Sequence, residues 1–460
     1  MQNFLQVERS NPKKRQALER VKDYSEIYQP YSSDEATPQA SRCVQCGDPY
    51  CHNKCPLHNF IPQWLKKVSE KDFRLAFELS HATSPFPEIM GRVCPQDRLC
   101  EGDCTLNDGY GAITIGAIET FISEKGMELG YKPKFATKSV GKSVAIVGSG
   151  PAGLSAATFL LREGFKVELF ERQDRAGGLL TYGIPGFKLE KSVIERRLDQ
   201  LTQAGLKLHL GKEIGKEMSF EKLLKGFDAI FLGIGATAPK KARISGEEAE
   251  GCYSAIDFLT AIQKRNFGVE SSILLPELKG KSVVVVGGGD TAMDCVRTAI
   301  REGAEEVKIL YRRDENNMPG SHKEYVNAKE EGVEFEFFAA PKQVILREGK
   351  ATGIESYRTE LCDMDEKGRQ KCVVVEGSEF VVEADVIIFS LGFDPARPSF
   401  LEQHQIALHP WGGIIVDDSY ETSLPNVFAG GDCYRGADLV VNAALDGREA
   451  AKAIIKKLLG

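Results

Sequence analysis

The chain has 460 residues, enough for roughly three domains, and its 42% hydrophobic and 27% charged residues are typical of a globular protein with several cores. Its net charge of −7 excludes a general basic field for nucleic acid, and no apolar run approaches the roughly 20 residues of a membrane helix. The polar N-terminus does not resemble a secretory signal, so we expect a cytoplasmic protein without nucleic-acid or membrane partners.

The 12 cysteines are concentrated near the N-terminus, where seven of them lie between residues 43 and 104. An intracellular chain keeps its thiols reduced, so this density predicts a metal centre rather than disulfides. Short spacings let one loop wrap an iron–sulfur cluster, and in ferredoxins the cysteine of a Cys-Pro ending serves a second cluster. The two groups are Cys43-x2-Cys46-x4-Cys51-x3-Cys55-Pro56 and Cys94-Pro95-x4-Cys100-x3-Cys104.

Seven thiolates are one short of the eight that two four-iron clusters need, so either one cluster has another ligand or only one cluster is present. A zinc site that includes His52 or His58 is the alternative. Between the two groups, apolar residues at helical spacing predict one helix over residues 61–80, which would bring the groups together.

Residues 143–171 have the features of a dinucleotide-binding fingerprint. An apolar strand over 143–147 precedes a glycine turn, a helix to about residue 164, and a second strand over 166–170 that ends at an acid. The glycines let the backbone approach a pyrophosphate at a helix N-terminus, and the acid binds ribose hydroxyls; a turn used for packing alone is the alternative. The predicted contacts are Gly148, Gly150, Pro151, Ala152, Gly153 and Glu171.

The fingerprint recurs between a strand over 282–286 and a strand over 306–310, with a helix over about 291–302. Here the second strand ends in Tyr311-Arg312-Arg313 rather than in an acid. Arginine pairs with a 2′-phosphate that an acid would repel, so we predict NADPH over NADH, with two solvated surface charges as the alternative. The predicted contacts are Gly287, Gly289, Asp290, Thr291, Arg312 and Arg313.

The two different ribose partners predict two different nucleotides, and the first site suits FAD. A glycine loop over 177–185, with Gly178 and Leu179, is placed for a flavin ring, and a strand from residue 426 ends at Gly431 and Asp432. Asp432 could accept from a ribityl hydroxyl, and a helix from about residue 442 could direct its positive end at the flavin pyrimidine. Residues 231–237 and 389–395, with Gly392, have the pattern of chain crossings between two domains.

These elements predict an α/β protein with two Rossmann-like dinucleotide-binding domains, one inserted in the other, preceded by a mainly helical iron–sulfur domain. The predicted divisions are residues 1–140 for the helical domain, 141–280 and 390–460 for the FAD domain, and 281–389 for the NADPH domain.

The cysteine pattern, the GSGPAG and GGGDTAMD turns and the AGGD ending together resemble one family over essentially the whole chain. It is the small (beta) subunit of bacterial NADPH-dependent glutamate synthase, whose module is similar to the N-terminal part of dihydropyrimidine dehydrogenase. The resemblance implies FAD, NADPH and two 4Fe-4S clusters, one with a non-cysteine ligand from the stretch that here is residues 114–119. It implies one cluster on Cys43, Cys46, Cys51 and Cys104, and the other on Cys55, Cys94, Cys100 and Glu119.

The resemblance also implies a function: NADPH oxidation, with electrons passed through FAD and the clusters to a large (alpha) glutamate synthase subunit that forms glutamate from glutamine and 2-oxoglutarate. The hydride step depends mostly on positioning, so no general acid or base is predicted. One alternative is the same module serving a pyrimidine reductase partner or ferredoxin. A thiol–disulfide flavoreductase is less favoured, because the five remaining cysteines contain no Cys-x-x-Cys, and two intact fingerprints argue against a non-catalytic scaffold.

Overall fold

The computed structural model describes residues 3–364 and 370–460. Its helices are α1 (Ala17–Arg20), α2 (Ser33–Ser41), α3 (Tyr50–Lys54), α4 (Ile61–Ser69), α5 (Phe73–Thr83), α6 (Pro87–Val93), α7 (Ile115–Glu128), α8 (Pro151–Arg162), α9 (Leu179–Tyr182), α10 (Lys191–Gln203), α11 (Phe220–Gly226), α12 (Ala255–Asn266), α13 (Asp290–Arg301), α14 (His322–Glu330), α15 (Ser399–Gln403), α16 (Asp432–Arg435) and α17 (Val440–Leu459). Its strands are β1 (Ser143–Val147), β2 (Lys166–Phe170), β3 (Lys207–His209), β4 (Ala229–Leu232), β5 (Ala236–Pro239), β6 (Cys252–Ser254), β7 (Ser282–Val286), β8 (Glu306–Tyr311), β9 (Glu334–Phe337), β10 (Ala339–Arg347), β11 (Lys350–Met364), β12 (Gln370–Val374), β13 (Phe380–Glu383), β14 (Val386–Phe389), β15 (Phe393–Pro395) and β16 (Val427–Ala429).

The N-terminal region is helical, as predicted, but the helix predicted over residues 61–80 is two helices. Lys71 has a φ of 59°, a left-handed conformation that ends α4 and its hydrogen-bond ladder. The Asp72 carboxylate then accepts from the Leu75 N–H and caps α5, which continues to Thr83. The single-helix prediction was therefore wrong, because the apolar spacing continues across a polar turn that carries its own N-cap.

The first nucleotide-binding sheet is parallel, with strand order β16-β4-β1-β2-β3. The apolar run of β1 is buried from Val144 to Val147, as expected for a strand covered on both faces. Helix α17 lies against α8, and a Cβ at Gly447 would come within 2.1 Å of the Ala152 carbonyl oxygen. Only glycine permits this approach, which brings the C-terminal helix to the first glycine turn.

The second nucleotide-binding sheet is also parallel, in the order β6-β14-β7-β8-β9, and β10 to β13 form a separate antiparallel sheet. The two nucleotide-binding folds are joined by a two-stranded crossing in which β5 pairs antiparallel with β15. One fold is thus inserted in the other, and the predicted α/β fold class is confirmed.

The predicted boundary at residue 280 lies too late in the chain. Strand β6 pairs with β14, and α12 contacts β6 and α13, so both belong to the second fold. We propose that the insert extends from about residue 240 to about residue 392, between β5 and β15. A three-residue strand carries little periodic signal, and its sheet is decided only by pairing with β14, 135 residues further along the chain.

An N-terminal segment connects the helical region to the inserted fold. The Arg20 side chain is buried, and its Nε donates to Glu331 Oε1 over 2.7 Å. Glu331 also accepts from Arg297 and Arg301, whose guanidinium groups lie over the Phe187 ring of the first fold. The three parts of the chain therefore share one buried ionic contact. No helix among the described residues is long and apolar enough to span a membrane.

Candidate functional site

The first glycine turn opens onto a cleft at the carboxyl ends of β1 and β2. The Glu171 carboxylate is buried there and accepts from the Ser149 N–H over 3.0 Å and from the Ser149 hydroxyl. Ser149 Oγ in turn accepts from the Gly177 N–H over 2.9 Å. Ser149, which the sequence motif leaves variable, thus joins the fingerprint, its acid and the loop over residues 177–185.

The predicted residues of the first fingerprint divide into two roles. Gly148, Gly150, Pro151, Ala152 and Glu171 line the cleft, together with Gly178 and Leu179. Gly153 lies behind it, where a Cβ would be 2.0 Å from the Gly148 carbonyl oxygen, and so allows α8 to pack on β1. At Gly150, by contrast, an added Cβ meets no atom within 4 Å, which leaves open space for a ligand at the N-terminus of α8.

Asp432 lines the same cleft from the opposite side. Its Oδ1 is buried and has no hydrogen-bond partner among the described residues. Burial, followed by the charge of Asp438, raises the pKa of Asp432 to about 7. A buried carboxylate oxygen without a donor fits a ligand that brings a hydroxyl group, such as the ribityl chain of FAD.

The C-terminal side of the cleft is built around a residue that the sequence did not single out. Asp446 in α17 is fully buried, and its Oδ2 accepts from the Gly431 N–H over 2.9 Å and from Arg435 Nε over 2.7 Å. It thereby holds the turn that orients Asp432. The sequence around Asp446 does not indicate this role, because the groups that Asp446 contacts, Gly431 and Arg435, lie outside α17.

The other predicted flavin contacts lie as follows. The N-terminal end of α17 lines the cleft through Val440 and Ala443, and α17 begins two residues earlier than predicted. Asp438 Oδ1 accepts from the Leu439 N–H just before α17, and Asp438 also borders the cleft. Gly392 lies in the crossing, where its carbonyl accepts from the Lys240 N–H, rather than among the residues that line the cleft.

The second glycine turn lies between β7 and α13. A Cβ at Gly287 would be 2.3 Å from the Ser390 carbonyl oxygen. A Cβ at Gly289, by contrast, would have no atom within 4 Å. Asp290 is engaged by protein groups: its Oδ1 accepts from the Ser321 N–H over 2.9 Å, and its Oδ2 is 3.4 Å from Arg98 Nη2. Thr291 follows in the first turn of α13.

The two arginines follow the end of β8, as predicted. The Arg312 side chain is exposed, and the main-chain carbonyl of Arg312 accepts from Thr359 Oγ1 over 2.8 Å. Arg313 is half-buried, and its Nε has no hydrogen-bond partner among the described residues. A guanidinium group with a free N–H fits a ligand that carries a phosphate.

The cysteines converge in two sets. Cys43, Cys46, Cys51 and Cys104 line one small cavity between α3, α4 and the loop before α7. Gln45 Nε2 donates to Cys43 Sγ over 3.3 Å, and Thr105 Oγ1 lies 3.2 Å from Cys46 Sγ. Burial raises the pKa of Cys43 to about 11 and of Cys51 to about 12, so a metal must displace protons to bind there.

The second set lies next to the first nucleotide-binding fold. Burial raises the pKa of Cys55, Cys94 and Cys100, and the charge of Glu119 raises each of them further. Burial, with a further contribution from the charge of Glu88, raises the pKa of Glu119 itself to about 8. Three thiols and one carboxyl group are therefore close neighbours in a site removed from water.

The histidines of the zinc alternative contact other groups. His52 Nδ1 is 2.9 Å from the Asn59 carbonyl oxygen, and the His58 ring lies beside the His52 ring. No group of three or more histidine, cysteine or carboxylate side chains among the described residues is arranged to hold a single metal ion. The thiols of the first set instead line a cavity, which suits a larger group such as a four-iron cluster.

Two known families match consecutive parts of the chain. The family described as dihydropyrimidine dehydrogenase domain II, 4Fe-4S cluster, matches residues 20–131. The pyridine nucleotide-disulphide oxidoreductase family matches residues 142–447. The glutamate synthase (NADPH) small chain of Escherichia coli (strain K12) is 47% identical over 99% of this chain and 98% of that protein. This chain belongs to the glutamate synthase small-chain family.

The small chain of Azospirillum brasilense is 45% identical over 99% of this chain and 95% of its own. The putative oxidoreductase AegA of E. coli is 48% identical over 97% of this chain, which spans 69% of that protein. The predicted family resemblance is therefore confirmed, and the chain is an oxidoreductase of the pyridine-nucleotide type.

Solved structures share the paired nucleotide-binding folds. FprA of Mycobacterium tuberculosis in complex with NADPH has a TM-score of 0.59 at 19% identity and covers 69% of this chain and 84% of its own. The thioredoxin reductase of T. acidophilum has a TM-score of 0.51 at 21% identity over 69% of this chain and 100% of its own. At these identities the likeness shows the fold alone.

Proposed function

We propose that this chain is the NADPH-oxidising small subunit of a glutamate synthase. It would pass electrons from NADPH, by way of FAD and two 4Fe-4S clusters, to a large (alpha) subunit that makes L-glutamate from glutamine and 2-oxoglutarate. The observation that carries the proposal is the combination, in one chain, of two nucleotide turns with two converging sets of sulfur and carboxylate side chains. Nearly full-length relatives with this name, at 47% and 45% identity, support it.

We assign FAD to the first cleft and NADPH to the second turn. The open position at Gly150 would admit the FAD pyrophosphate, Glu171 its ribose, and Asp432 its ribityl chain. At the second turn Gly289 would admit a pyrophosphate, and Arg312 and Arg313 would pair with the 2′-phosphate. FAD would convert two-electron transfer from NADPH into one-electron transfer, since it accepts two electrons at once and can release them singly to iron–sulfur clusters.

We assign one cluster to each thiol set. Cys43, Cys46, Cys51 and Cys104 would hold the first cluster, and Cys55, Cys94, Cys100 and Glu119 the second. Arg448 of α17 donates to the carbonyls of Leu57 and Thr83, close to the second set. This contact links the second set to the flavin fold and supports a path for electrons between them.

The proposal is tested with the purified chain and with its partner. We expect flavin and iron–sulfur absorbance, about eight iron atoms per chain, and glutamine-dependent glutamate formation from NADPH when a glutamate synthase large subunit is added. A colourless protein would refute the cofactor assignment. A coloured protein that reduces an artificial acceptor, but neither binds the large subunit nor supports glutamate formation, would refute the assigned partner.

A second candidate is the same electron-transfer module serving a different acceptor. The similarity to AegA favours it, because this match is as strong as that to the small chains and AegA extends beyond the aligned region. Identification of the protein that co-purifies with this chain distinguishes the two candidates.

A thiol–disulfide reductase has less support. All 12 cysteines lie among the described residues, and none of them forms a disulfide. Cys433, which follows Asp432 at the cleft, is buried and donates to the Leu232 carbonyl. Such a reductase needs a second cysteine close to the flavin.

A further inference from the structure

One buried residue contacts a side chain that we assign to the second cluster. Asn59 lies in the loop between α3 and α4, with 4% of its surface exposed. Its side-chain Nδ2 donates to Glu119 Oε1 over 3.2 Å. No other hydrogen bond to the Glu119 carboxyl group is present among the described residues.

The orientation of the Asn59 amide is determined by the surrounding fold. Thr83 Oγ1 donates to Asn59 Oδ1 over 2.5 Å, which leaves the amide nitrogen to face Glu119. The Asn59 carbonyl oxygen lies 2.9 Å from His52 Nδ1 in α3. Both polar atoms of the Asn59 side chain and its carbonyl oxygen therefore have partners, and these partners belong to different segments of the N-terminal region.

The C-terminal helix secures the same loop. Arg448 Nη1 donates to the Leu57 carbonyl over 2.9 Å and to the Thr83 carbonyl over 3.0 Å. Leu57 lies close to Asn59 along the chain, and the Thr83 hydroxyl donates to the Asn59 side chain. The position of Asn59 is thus coupled to the first nucleotide-binding fold.

We infer that Asn59 is a positioning residue for the second cluster, because its amide holds the Glu119 carboxylate for iron. The inference rests on the proposed function, because it takes Cys55, Cys94, Cys100 and Glu119 as cluster ligands. Groups that hydrogen-bond to metal ligands fix their orientation and affect metal retention, and hydrogen bonds to the ligands also contribute to cluster potential. Asn59 therefore controls both the retention and the redox behaviour of this cluster.

The test replaces the amide of Asn59 without changing its size. Asn59→Asp keeps an acceptor for Thr83 but puts a carboxylate against Glu119. We expect retention of the second cluster against an iron chelator to fall by about 10- to 100-fold. Its EPR signal in the reduced protein should shift or disappear, while the signal of the first cluster and the NADPH oxidation by ferricyanide remain.

Asn53→Asp is the matched control. Asn53 also lies in the cysteine-rich segment, in α3, but its amide donates to the exposed Asp48 carboxylate rather than to an assigned ligand. The same change of chemistry at Asn53 should leave both EPR signals and the iron content as in the wild type.

A reciprocal exchange separates positioning from simple damage. In the double variant Asn59→Asp with Glu119→Gln, the amide and the carboxylate change places and the hydrogen bond can form again. Restoration of the second signal supports the inference. Wild-type signals in Asn59→Asp, or no restoration in the double variant, would overturn it while leaving the proposed function in place. A wild-type protein without either cluster signal would overturn both.

Discussion

Gly150 and Gly289 occupy equivalent positions in the two nucleotide turns and allow each cofactor to be removed separately. Each is the N-cap of its helix, with φ of −65° at Gly150 and −87° at Gly289, values that alanine adopts without strain. Neither position has an atom within 4 Å of an added Cβ. Gly150→Ala and Gly289→Ala should therefore leave the fold intact and place a methyl group where the pyrophosphate of one cofactor approaches.

The expected magnitudes follow from these surroundings. Alanine is a poorer N-cap than glycine but restricts the unfolded chain, two opposing effects of up to about 1 kcal/mol each, so the Tm of the cofactor-free protein should change by less than about 4 °C. Overpacking a methyl group against a bound ligand costs about 1–3 kcal/mol, or about 5- to 150-fold in affinity. We expect Gly150→Ala to lower FAD affinity by this factor and Gly289→Ala to lower NADPH affinity.

The assay measures FAD per chain after reconstitution, the Kd of each nucleotide, and the Tm of the cofactor-free protein. Gly153→Ala is the control from the same turn, because its Cβ would be 2.0 Å from the Gly148 carbonyl oxygen inside the protein. That variant should lose stability as well as FAD. The reasoning is refuted if Gly150→Ala binds FAD as the wild type does, or if each single variant weakens both nucleotides equally.

Four further predictions concern charged groups and thiols. Burial raises the pKa of Asp432 to about 7, and a ligand hydroxyl favours the charged form of its carboxylate. The Kd for FAD should therefore rise by up to about tenfold per pH unit below 7. Asp432→Asn should remove this pH dependence, as measured by fluorescence titration. Burial raises the pKa of Glu331, but pairing with buried arginines outweighs burial and lowers this pKa to about 2. The stability that the Glu331 ion pairs contribute is therefore present above about pH 4.5 and is lost as the pH falls towards 2. Glu331→Gln should cost about 3–5 kcal/mol in urea unfolding at pH 7, and a cost below about 1 kcal/mol would contradict this. Arg312→Ala should reduce kcat/KM for NADPH by about 10- to 150-fold without affecting NADH, whereas equal use of both nucleotides by the wild type would refute the preference. Cys100→Ser should retain about four of the eight expected iron atoms, and an unchanged content would refute its assignment.

The chemistry-bearing segments of this protein could be identified from the sequence because each is local. A glycine turn between an apolar strand and a helix, such as residues 143–162, contains its whole signal within one continuous segment, and the structure has both strands and both helices near the predicted places. The cysteine spacings are likewise local. The division of these cysteines into two sets is not a local feature. The family resemblance implied it, because spacing alone does not bring Cys104 to Cys43 or Glu119 to Cys55.

The tertiary structure decided what depends on contacts between distant segments. The short strand β6 joins the second sheet through a partner far along the chain, Asp446 of α17 holds the turn before Asp432, and Asn59 meets Glu119 across 60 residues. Residue identity in a single sequence does not reveal such pairs, because an aspartate in a helix or an asparagine in a loop is usually a solvated residue. The sequence by itself determined the fold class, the two nucleotide turns and the cysteine-rich region, since periodicity and spacing follow from local geometry. The boundaries of the insert and the residues that hold the ligands in place were decided by packing.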